Sequence, residues 1–395
     1  MITNTKENLE KLENYIKTKN YSNDIDIVDF MKFVSSNYGV YFKSDKKINK
    51  LKKEIPLKRN VLLILVDGLG YYKVKSLSDT SILKQNLKMP MQTVNPSSTA
   101  CVLTSLCSSC YPSEHGVFGW WQYDKSLDIN YYPLLFKSQK GVSLYDLGFS
   151  KNNVYHFKSI FDRYNIPVNL YMRRTIINSD YSSIFNGKKA NTYGCFSIKD
   201  AFTKIEKRLN EKRASFNYLY ISGLDEMSHK YGVNSIEVNR QLAEIEEEIK
   251  KIKEGREDLT ILVIADHGQV DMTSLIYLNQ NENYLKYFYA LPSMDTRMIS
   301  FFVKEEYKEE FENKFCSEFG KDVILLTAKE AIEYKLFGPD NLSENALNSI
   351  GEYVAIVVNN KFLLCDKAIY EDKMSTKGNH SGLTKEETTI PLIVI

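Results

Sequence analysis

Carboxylate and imidazole side chains follow three apolar, strand-like segments of the sequence. Residues 61–66 run into Asp67, and the segment FNYLYISGLD ends at Asp225. The segment TILVIA runs into the adjacent pair Asp266 and His267. Nearly unbroken apolar runs of this length are typical of strands buried on both faces of a parallel sheet. Because ligands gather at the carboxyl ends of such strands, we expect these side chains to converge.

Two more histidines lie where they can join this set. His229 follows Asp225 by four residues, so one helical turn would place both side chains on the same face. His380 lies in KGNHSGL, shortly before the apolar segment TIPLIVI. An isolated Asp-His pair is often only a turn or core feature, whereas a set of six indicates a functional site. The set comprises Asp67, Asp225, His229, Asp266, His267 and His380.

Three carboxylates and three imidazoles are enough for two metal sites with three protein ligands each. Such ligands without thiolate suit zinc, with manganese or iron as alternatives. Two ions about 4 Å apart can hold the entering and the leaving oxygen of a phosphoryl transfer. We therefore expect two divalent metal ions, zinc first and manganese second, and chemistry at a phosphoric ester.

The segment NPSSTACVLTSLCSSCYPSEHG supplies hydroxyl groups that could attack phosphorus. Ser97, Ser98 and Thr99 lie just before or at the start of the apolar stretch 100–109, which predicts a helix. Backbone N–H groups at a helix N-terminus favour a phosphate and a developing alkoxide. Serine and threonine are also common as plain N-caps, so only the nearby metal-ligand pattern favours a catalytic role.

Several other polar and aromatic residues have plain structural explanations as well. Trp120, Trp121 and Tyr123 could stack a flat leaving group and bind substrate, and they are equally suited to a wall of ordinary core. Arg173 and Arg174 could grip a second phosphate, or they could simply be solvated.

Two further histidines and a cysteine pair favour structural explanations. His115, in SEHG, is more typical of a helix terminus than of a metal ligand, and His156 has no partner motif. Cys107 and Cys110 form a C-x-x-C inside an apolar helical stretch, and no second pair completes a zinc site. We expect core packing for these cysteines.

The elements that must position the candidate residues indicate an α/β fold. The helical segment SIEVNRQLAEIEEEIKKIKEG, which ends at Gly255, connects two predicted strands. A strand, a helix and a strand in this order predict a parallel unit with a right-handed crossover. The predicted fold class is therefore α/β, with a mostly parallel central sheet flanked by helices and a small inserted α+β subdomain.

Changes in composition and hydrophobic pattern along the sequence predict a division into domains. Residues 1–55 predict a helical N-terminal segment, with ENLEKLENYI and DIVDFMKFVSS as amphipathic helices. Residues 56–289 and 366–395 predict the catalytic α/β core, and residues 290–365 predict the inserted α+β subdomain. Residues 120–200, rich in aromatic and turn residues, predict a second and irregular insertion.

The composition restricts the partners of this chain. Its 395 residues are 43% hydrophobic and 26% charged, with a formal net charge of +2. Without a basic excess, a nucleic-acid polymer is a disfavoured partner. The first residues lack the apolar core of a signal peptide, and no stretch reaches the roughly 18 apolar residues of a membrane span. Six cysteines fit reduced thiols, so we expect a soluble, cytoplasmic protein without a membrane partner.

The ordered motifs LVDGLG, PSSTACVLTSL…YPSEHG, GLDEMSHKYG, ADHG and GNHSGL resemble those of the alkaline phosphatase superfamily. The similarity is closest to the branch of type I phosphodiesterases and nucleotide pyrophosphatases. It covers about residues 57–290 and 366–395, and LFGPDNL…IGEYVAIV within the predicted insert also looks like this branch.

The resemblance implies a site with two zinc ions and a covalent nucleophile. It assigns one ion to Asp225, His229 and His380, and the other to Asp67, Asp266 and His267. A match without gaps back from YPSEHG places the nucleophile at Thr99, with Ser98 as the second choice.

The sequence also departs from the family pattern. Many nucleotide pyrophosphatases carry an asparagine shortly after HG that stabilises phosphate oxygen, whereas this chain reads HGVFGWWQYD. The C/S-x-P-x-R motif of sulfatases is absent, which disfavours sulfate esters.

The predicted function is that of a phosphodiesterase or nucleotide pyrophosphatase acting on a small phosphodiester or nucleotide through a phospho-threonine intermediate. A phosphomonoesterase or phosphonate hydrolase on the same metals is one alternative. A non-catalytic metal-binding or sensing module is the other.

Overall fold

The computed structural model describes residues 4–18, 24–43, 45–211, 213–278, 284–365 and 375–395. Its strands are β1 (Asn60–Val66), β2 (Leu87–Gln92), β3 (Gln122–Asp124), β4 (Ile129–Tyr132), β5 (Lys137–Ser138), β6 (Val168–Arg173), β7 (Asn191–Cys195), β8 (Ser215–Ile221), β9 (Leu259–Ile264), β10 (Val270–Asp271), β11 (Ser274–Tyr277), β12 (Phe288–Met294), β13 (Met298–Val303), β14 (Val323–Thr327), β15 (Tyr353–Val357), β16 (Lys361–Leu364), β17 (Gly378–Asn379) and β18 (Thr389–Val394).

The helices flank these strands along the whole described chain. They are α1 (Lys6–Thr18), α2 (Ile27–Ser36), α3 (Lys46–Glu54), α4 (Tyr71–Lys75), α5 (Ile82–Gln85), α6 (Thr99–Ser108), α7 (Pro112–His115), α8 (Lys151–Val154), α9 (Asp180–Asn186), α10 (Ile198–Leu209), α11 (Gly223–Tyr231), α12 (Ile236–Lys253), α13 (Lys308–Phe319), α14 (Ala328–Glu333), α15 (Glu344–Asn348) and α16 (Lys385–Thr388). In the described residues, no helix has the length and apolar character that crossing a bilayer requires.

The central sheet has the order β2-β18-β9-β1-β8-β6-β7 within the described chain. The five strands from β9 to β7 run parallel, whereas β18 is antiparallel to both β9 and β2. The prediction of an α/β fold with a mostly parallel central sheet is confirmed. The TIPLIVI segment is a strand as predicted, and it adds the antiparallel element.

The predicted site lies where the interior strands end. All seven residues of β1 are buried, because the strand lies between β8 and β9. Val66 pairs with Ile221 of β8, and Leu65 pairs with Ile264 of β9. This register brings the carboxyl ends of the three strands to the same edge of the sheet.

The crossover between β8 and β9 is the predicted long helix α12. Ser235 caps the N-terminus of α12, since its side chain accepts a hydrogen bond from the Val238 N–H. The buried residues of the helix recur every three or four positions and form one face. These buried residues are Val238, Leu242, Ile245, Ile249 and Ile252. The helix ends at Lys253, two residues before Gly255, which has a φ of 67°.

The predicted insert contains a second sheet with its own core. Its strand order is β12-β13-β15-β14, all antiparallel, over the described part of this region. Phe301 packs against Phe311 and Phe315 of α13 in this core. The predicted boundary at residue 290 falls inside β12, and Tyr287 before it already belongs to the same core. Residues 366–374, predicted as part of the catalytic core, lie outside the described residues.

The N-terminal helices pack on two different parts of the molecule. Helix α2 begins with a capping box between Asp26 and Asp29 and buries Phe30 in the main core. Helix α1 instead places Leu12 beside Ile324 of β14 in a second cluster. The predicted helices are thus present, and the segment packs against both sheets.

The prediction of an irregular insertion over residues 120–200 was wrong for two segments. β6 and β7 are full members of the central sheet. β7 is an edge strand with the sequence NTYGC, whose first two residues are exposed. Such a strand needs no apolar run, so its sequence resembles a loop.

Candidate active site

Tight turns connect the strand ends to the candidate ligands. Gly68, directly after Asp67, has a φ of 76°, a conformation that favours glycine. Gly268 follows His267, and a Cβ atom there would lie 2.0 Å from the Glu386 carbonyl oxygen. The glycines in LVDGLG and ADHG therefore allow close backbone approach beside the site.

Asp67, Asp266 and His267 form the buried half of the cluster. His267 Nε2 lies 3.5 Å from Asp67 Oδ1 and 3.3 Å from Asp266 Oδ2. Neither of these oxygens has a hydrogen-bond partner among the described residues. Buried carboxylate oxygens without a donor are costly unless a cation compensates them, so this half fits a metal ion.

Asp225, His229 and His380 form the more open half. Asp225 and His229 lie one turn apart on α11, and His229 Nε2 is 3.4 Å from Asp225 Oδ2. His380 Nε2 lies 3.8 Å from Asp225 Oδ1. The side chains of Asp225 and His229 are 15% and 22% exposed, so this half can be reached from solvent.

Backbone carbonyls orient all three histidines in the same way. The Nδ1 atoms of His229, His267 and His380 lie 2.8, 3.1 and 2.9 Å from the carbonyl oxygens of Gly378, Gly268 and Ser97. A carbonyl can only accept, so each Nδ1 carries the proton and each Nε2 keeps a lone pair. Imidazoles held in this manner are typical of metal ligands.

Two overlapping ligand groups emerge from this geometry. One consists of Asp225, His229 and His380, and the other of Asp67, Asp225 and His267, with the ligand atoms of each group within 4.8 Å of one another. Asp225 thus lies between both groups. Asp266, which the resemblance assigned to the second ion, contacts that group through His267. The residues present fit two neighbouring divalent ions.

Burial and mutual repulsion shift the ionisation of this cluster. Burial, and then the charges of Asp266 and Asp225, raise the pKa of Asp67 well above its usual range. Burial also raises the pKa of Asp266 to about 6. Burial, followed by neighbouring His267, lowers the pKa of His380 to about 4. His380 is therefore neutral near pH 7, as a metal ligand must be, while the carboxylates favour a bound cation.

Thr99 lies at the first position of α6 and faces the cluster. Its Oγ1 is 3.2 Å from His267 Nε2, and it also lines the adjoining cavity. Ser98 Oγ instead donates to Asp295 Oδ2 at 2.6 Å. This arrangement favours Thr99 over Ser98 as the residue that meets a substrate.

A cavity of about 600 Å³ opens beside Asp67, Thr99 and Asp225. Its apolar wall includes Leu103, Trp120, Leu134, Met172, Ile176 and Phe185. Polar groups at the wall include Lys137, Arg173, Asp180 and Glu226. The cavity has the mixed lining of a site for a small organic ligand.

The structure separates the three aromatic candidates. Trp120 is 37% exposed and lines the cavity. Neither Trp121 nor Tyr123 lines this cavity, as far as the described residues show. Trp121 packs with Phe362, and Tyr123 packs on the Phe302 ring at a centroid distance of 4.8 Å. Both residues are buried in packing contacts, so a substrate-binding role for Trp121 and Tyr123 stays a prediction that this cavity does not support.

The two arginine candidates and His115 also lie in different surroundings. Arg173 lines the cavity and forms an ion pair with Glu226, whereas Arg174 lies over the Phe196 ring. His115 is buried and hydrogen-bonded to Ser105 at 2.9 Å, in agreement with a structural role.

No sequence motif directly indicated three residues that support the candidate site. Tyr220 donates a hydrogen bond to Asp67, and Gln269 donates one to Asp225. Asp295 reaches Ser98 from the turn between β12 and β13. The position of Gln269 two residues after His267 was the one available signal.

The described geometry agrees with comparisons to known proteins. The family model of type I phosphodiesterase / nucleotide pyrophosphatase matches residues 61–382. No curated protein matches the chain significantly in sequence.

Solved structures of low sequence identity share the fold. Murine ectonucleotide pyrophosphatase / phosphodiesterase 5 is 14% identical, with a TM-score of 0.64 over 84% of this chain and 87% of that one. Its inactive Thr→Ala variant in complex with AMP is also 14% identical, with a TM-score of 0.64 over 85% and 87% of the two chains. The human protein is 16% identical, with a TM-score of 0.63 over 85% and 87%. Through the family match over most of its length, this chain belongs to the type I phosphodiesterase/nucleotide pyrophosphatase branch of the alkaline phosphatase superfamily and is a phosphodiesterase-type hydrolase.

Proposed function

We propose that this protein is a two-metal hydrolase that cleaves small phosphodiesters or nucleotide pyrophosphates through a phospho-threonine intermediate. The observation that carries the proposal is the placement of Thr99. Its hydroxyl group lies at a helix N-terminus, 3.2 Å from His267 Nε2, and borders a ligand-sized cavity.

Two divalent ions, when bound, would lower the pKa of an attacking oxygen and neutralise charge on the phosphoryl group. Asp225, His229 and His380 would hold one, and Asp67 and His267 would hold the other with Asp225 or Asp266. Imidazole and carboxylate ligands suit zinc, and manganese is the alternative.

Thr99 supplies the nucleophile in this proposal. Its Oγ1 forms a bond to phosphorus while the bond from phosphorus to the leaving oxygen breaks, which gives a phospho-threonine that keeps the second ester group, and a free alcohol or phosphate. Water then breaks the bond between phosphorus and Oγ1, restores the hydroxyl of Thr99 and releases the phosphate monoester.

The N-terminus of α6 offers a replacement for the asparagine that is missing after HG. The first N–H groups of a helix have no acceptor inside the helix, and they favour an anion. Ser98, at the N-cap, makes no side-chain cap bond among the described residues. The N–H of Ala100, at the second helical position, can therefore bind a phosphate oxygen.

The cavity supports a nucleotide or another flat leaving group. Trp120 presents a partly exposed indole ring, and Leu103 and Met172 supply apolar contacts. Aromatic faces stack on nucleobases irrespective of base identity. The AMP complex of a structural relative agrees with this class of ligand. The cytoplasmic location and the absence of a polymeric nucleic-acid partner stay predictions.

A substrate panel tests the proposal. Bis(4-nitrophenyl) phosphate, 4-nitrophenyl phosphate and a dinucleotide should be compared at matched concentrations, with zinc and with manganese. The proposal predicts faster cleavage of the diester and the dinucleotide than of the monoester. A large monoester preference would favour the phosphomonoesterase alternative. No turnover with either metal would favour a non-catalytic binding module.

A further inference from the structure

We infer that Asp295, in the inserted α+β unit, is a positioning residue that keeps the phosphate-binding end of α6 open. The inference rests on the proposed function, because it concerns the helix N-terminus at which Thr99 lies. Ser98 Oγ donates a hydrogen bond to Asp295 Oδ2 at 2.6 Å. Ser98 and Asp295 are only 1% and 6% exposed, so water competes little for this bond.

Ser98 has the backbone of an N-cap without the usual side-chain bond. Its φ of −119° and ψ of 138° are extended, as for other N-caps, yet its side chain caps nothing among the described residues. At three other N-caps, Ser197, Ser235 and Ser343, the side chain accepts from the N–H three residues later. The difference is that the Ser98 hydroxyl is engaged by a carboxylate from another part of the chain.

The turn between β12 and β13 fixes the direction of that carboxylate. The backbone N–H of Asp295 donates to the Met298 carbonyl at 3.0 Å. The other carboxylate oxygen, Oδ1, accepts the Thr296 N–H at 2.8 Å. Asp295 is therefore held on its own turn and presents Oδ2 to Ser98.

A free hydroxyl at this position would compete with the substrate. An N-cap serine normally accepts from the N–H of the second or third helical residue. If Ser98 turned toward α6, its Oγ would accept the N–H of Ala100 or of Cys101, the second and third helical residues, and would fill the helix end that we assign to a phosphate oxygen. Asp295 prevents this by holding the hydroxyl away from the helix. The inserted unit would thus contribute to phosphate binding without contacting the phosphate.

Three variants of the zinc-loaded protein should show an unusual pattern if Asp295 has this positioning role. Asp295→Ala should lower kcat/KM for bis(4-nitrophenyl) phosphate and weaken inhibition by inorganic phosphate, each by about tenfold, the worth of one charge-assisted hydrogen bond. Adding Ser98→Ala to Asp295→Ala should restore most of both losses, because the competing hydroxyl is then gone. Asp295→Asn, which still accepts from Ser98, should stay close to wild type.

Asn130→Ala is the matched control. Asn130 Nδ2 donates to the Leu291 carbonyl of the inserted unit at 3.1 Å. This hydrogen bond does not involve Ser98 or Asp295. Its loss should loosen the same interface without changing kcat/KM or phosphate inhibition. A crystal structure of Asp295→Ala supplies a readout independent of catalysis, with Ser98 Oγ expected about 3 Å from the nitrogen of Ala100 or Cys101.

The outcomes separate this inference from the proposed function. A double variant more active than Asp295→Ala, at unchanged zinc content, supports the positioning role, because a merely structural contact already broken by Asp295→Ala would gain no activity from Ser98→Ala. A double variant as weak as Asp295→Ala, or a Ser98 side chain that stays off the helix in the crystal, would overturn it. A wild-type protein that neither cleaves the diester nor binds phosphate would instead contradict the proposed function, and the crystal structure would still decide the position of Ser98.

Discussion

The central sheet and the inserted sheet contribute to the candidate site in different ways. Asp67 and Asp266 lie at the carboxyl ends of β1 and β9, and Asp225 lies in the first turn of α11, which follows β8. The inserted sheet delivers no metal-ligand candidate, and it contacts the site through the turn that carries Asp295 and Arg297. The first contribution depends on local sequence pattern, whereas the second depends on contacts between distant segments.

Arg297 shows how firmly the inserted sheet is attached. Its guanidinium donates to both carboxylate oxygens of Glu387, at 2.6 and 2.9 Å, and both side chains are fully buried. Glu387 also accepts the Gly382 N–H, two residues after His380. Thus the same turn holds the nucleophile end of α6 through Asp295 and the His380 loop through Arg297.

The largest predicted effect concerns the ligands from the central sheet. Loading with zinc should give about two ions per chain, since the candidate ligands form two three-residue groups. Asp67→Ala combined with Asp225→Ala should remove both ions and all activity. Elemental analysis after gel filtration measures the stoichiometry. Zinc retained by this double variant would show that the metals bind elsewhere.

The next effect concerns the nucleophile. Thr99→Ala should lower kcat by several orders of magnitude while the metal content stays at the wild-type value, because only metal-activated water would remain. Thr99→Ser should keep partial activity, since the oxygen is retained. Ser98→Ala is the matched control and should cost far less. If Ser98→Ala were the inactive variant, the assignment of the nucleophile would be off by one residue.

A third prediction concerns the attachment of the inserted sheet. Arg297→Met leaves the Glu387 carboxylate buried without its partner and should lower the free energy of unfolding by about 3–5 kcal/mol. Arg297→Met with Glu387→Leu should recover part of this loss, because no buried charge remains unpaired. Denaturant unfolding measures both values. A single variant as stable as wild type would show that the ion pair does not attach the sheet.

The smallest effect separates two neighbouring tryptophans. Trp120→Ala should raise KM for a dinucleotide about fivefold or more through loss of stacking, which contributes about 1–3 kcal/mol per base. Trp121→Ala should leave KM unchanged and lower stability by about 3–5 kcal/mol, because it empties a packed position. The reverse pattern would place the substrate on the other side of β3.

The central sheet and most of the candidate site could be predicted from the sequence. Asp67, Asp225 and Asp266 follow apolar runs, and such runs indicate strands that are buried on both faces of a sheet. β7 was missed because an edge strand with exposed residues needs no apolar pattern. The division into domains stays an interpretation, since α1 and α2 pack on different sheets.

The supporting contacts could not be predicted, for a physical reason. Ser98 and Asp295 are separated by 197 positions in the chain, and neither residue type nor spacing indicates that they meet. Tyr220 looks like an ordinary strand residue until the sheet places it beside Asp67. Trp120 and Trp121 are identical in type and adjacent in sequence, so only the fold decides which one faces the cavity.

Rapid acid quenching of the zinc-loaded enzyme during turnover of bis(4-nitrophenyl) phosphate tests the central claim most directly. Only one nitrophenolate leaves in the first step, so mass spectrometry of the proteolysed protein is used to locate a covalent 4-nitrophenyl phosphoryl group. The account predicts this group on Thr99 in wild type and its absence from Thr99→Ala, which should be nearly inactive. A phosphoryl group on Ser98, or a Thr99→Ala variant that turns over at the wild-type rate, would contradict it.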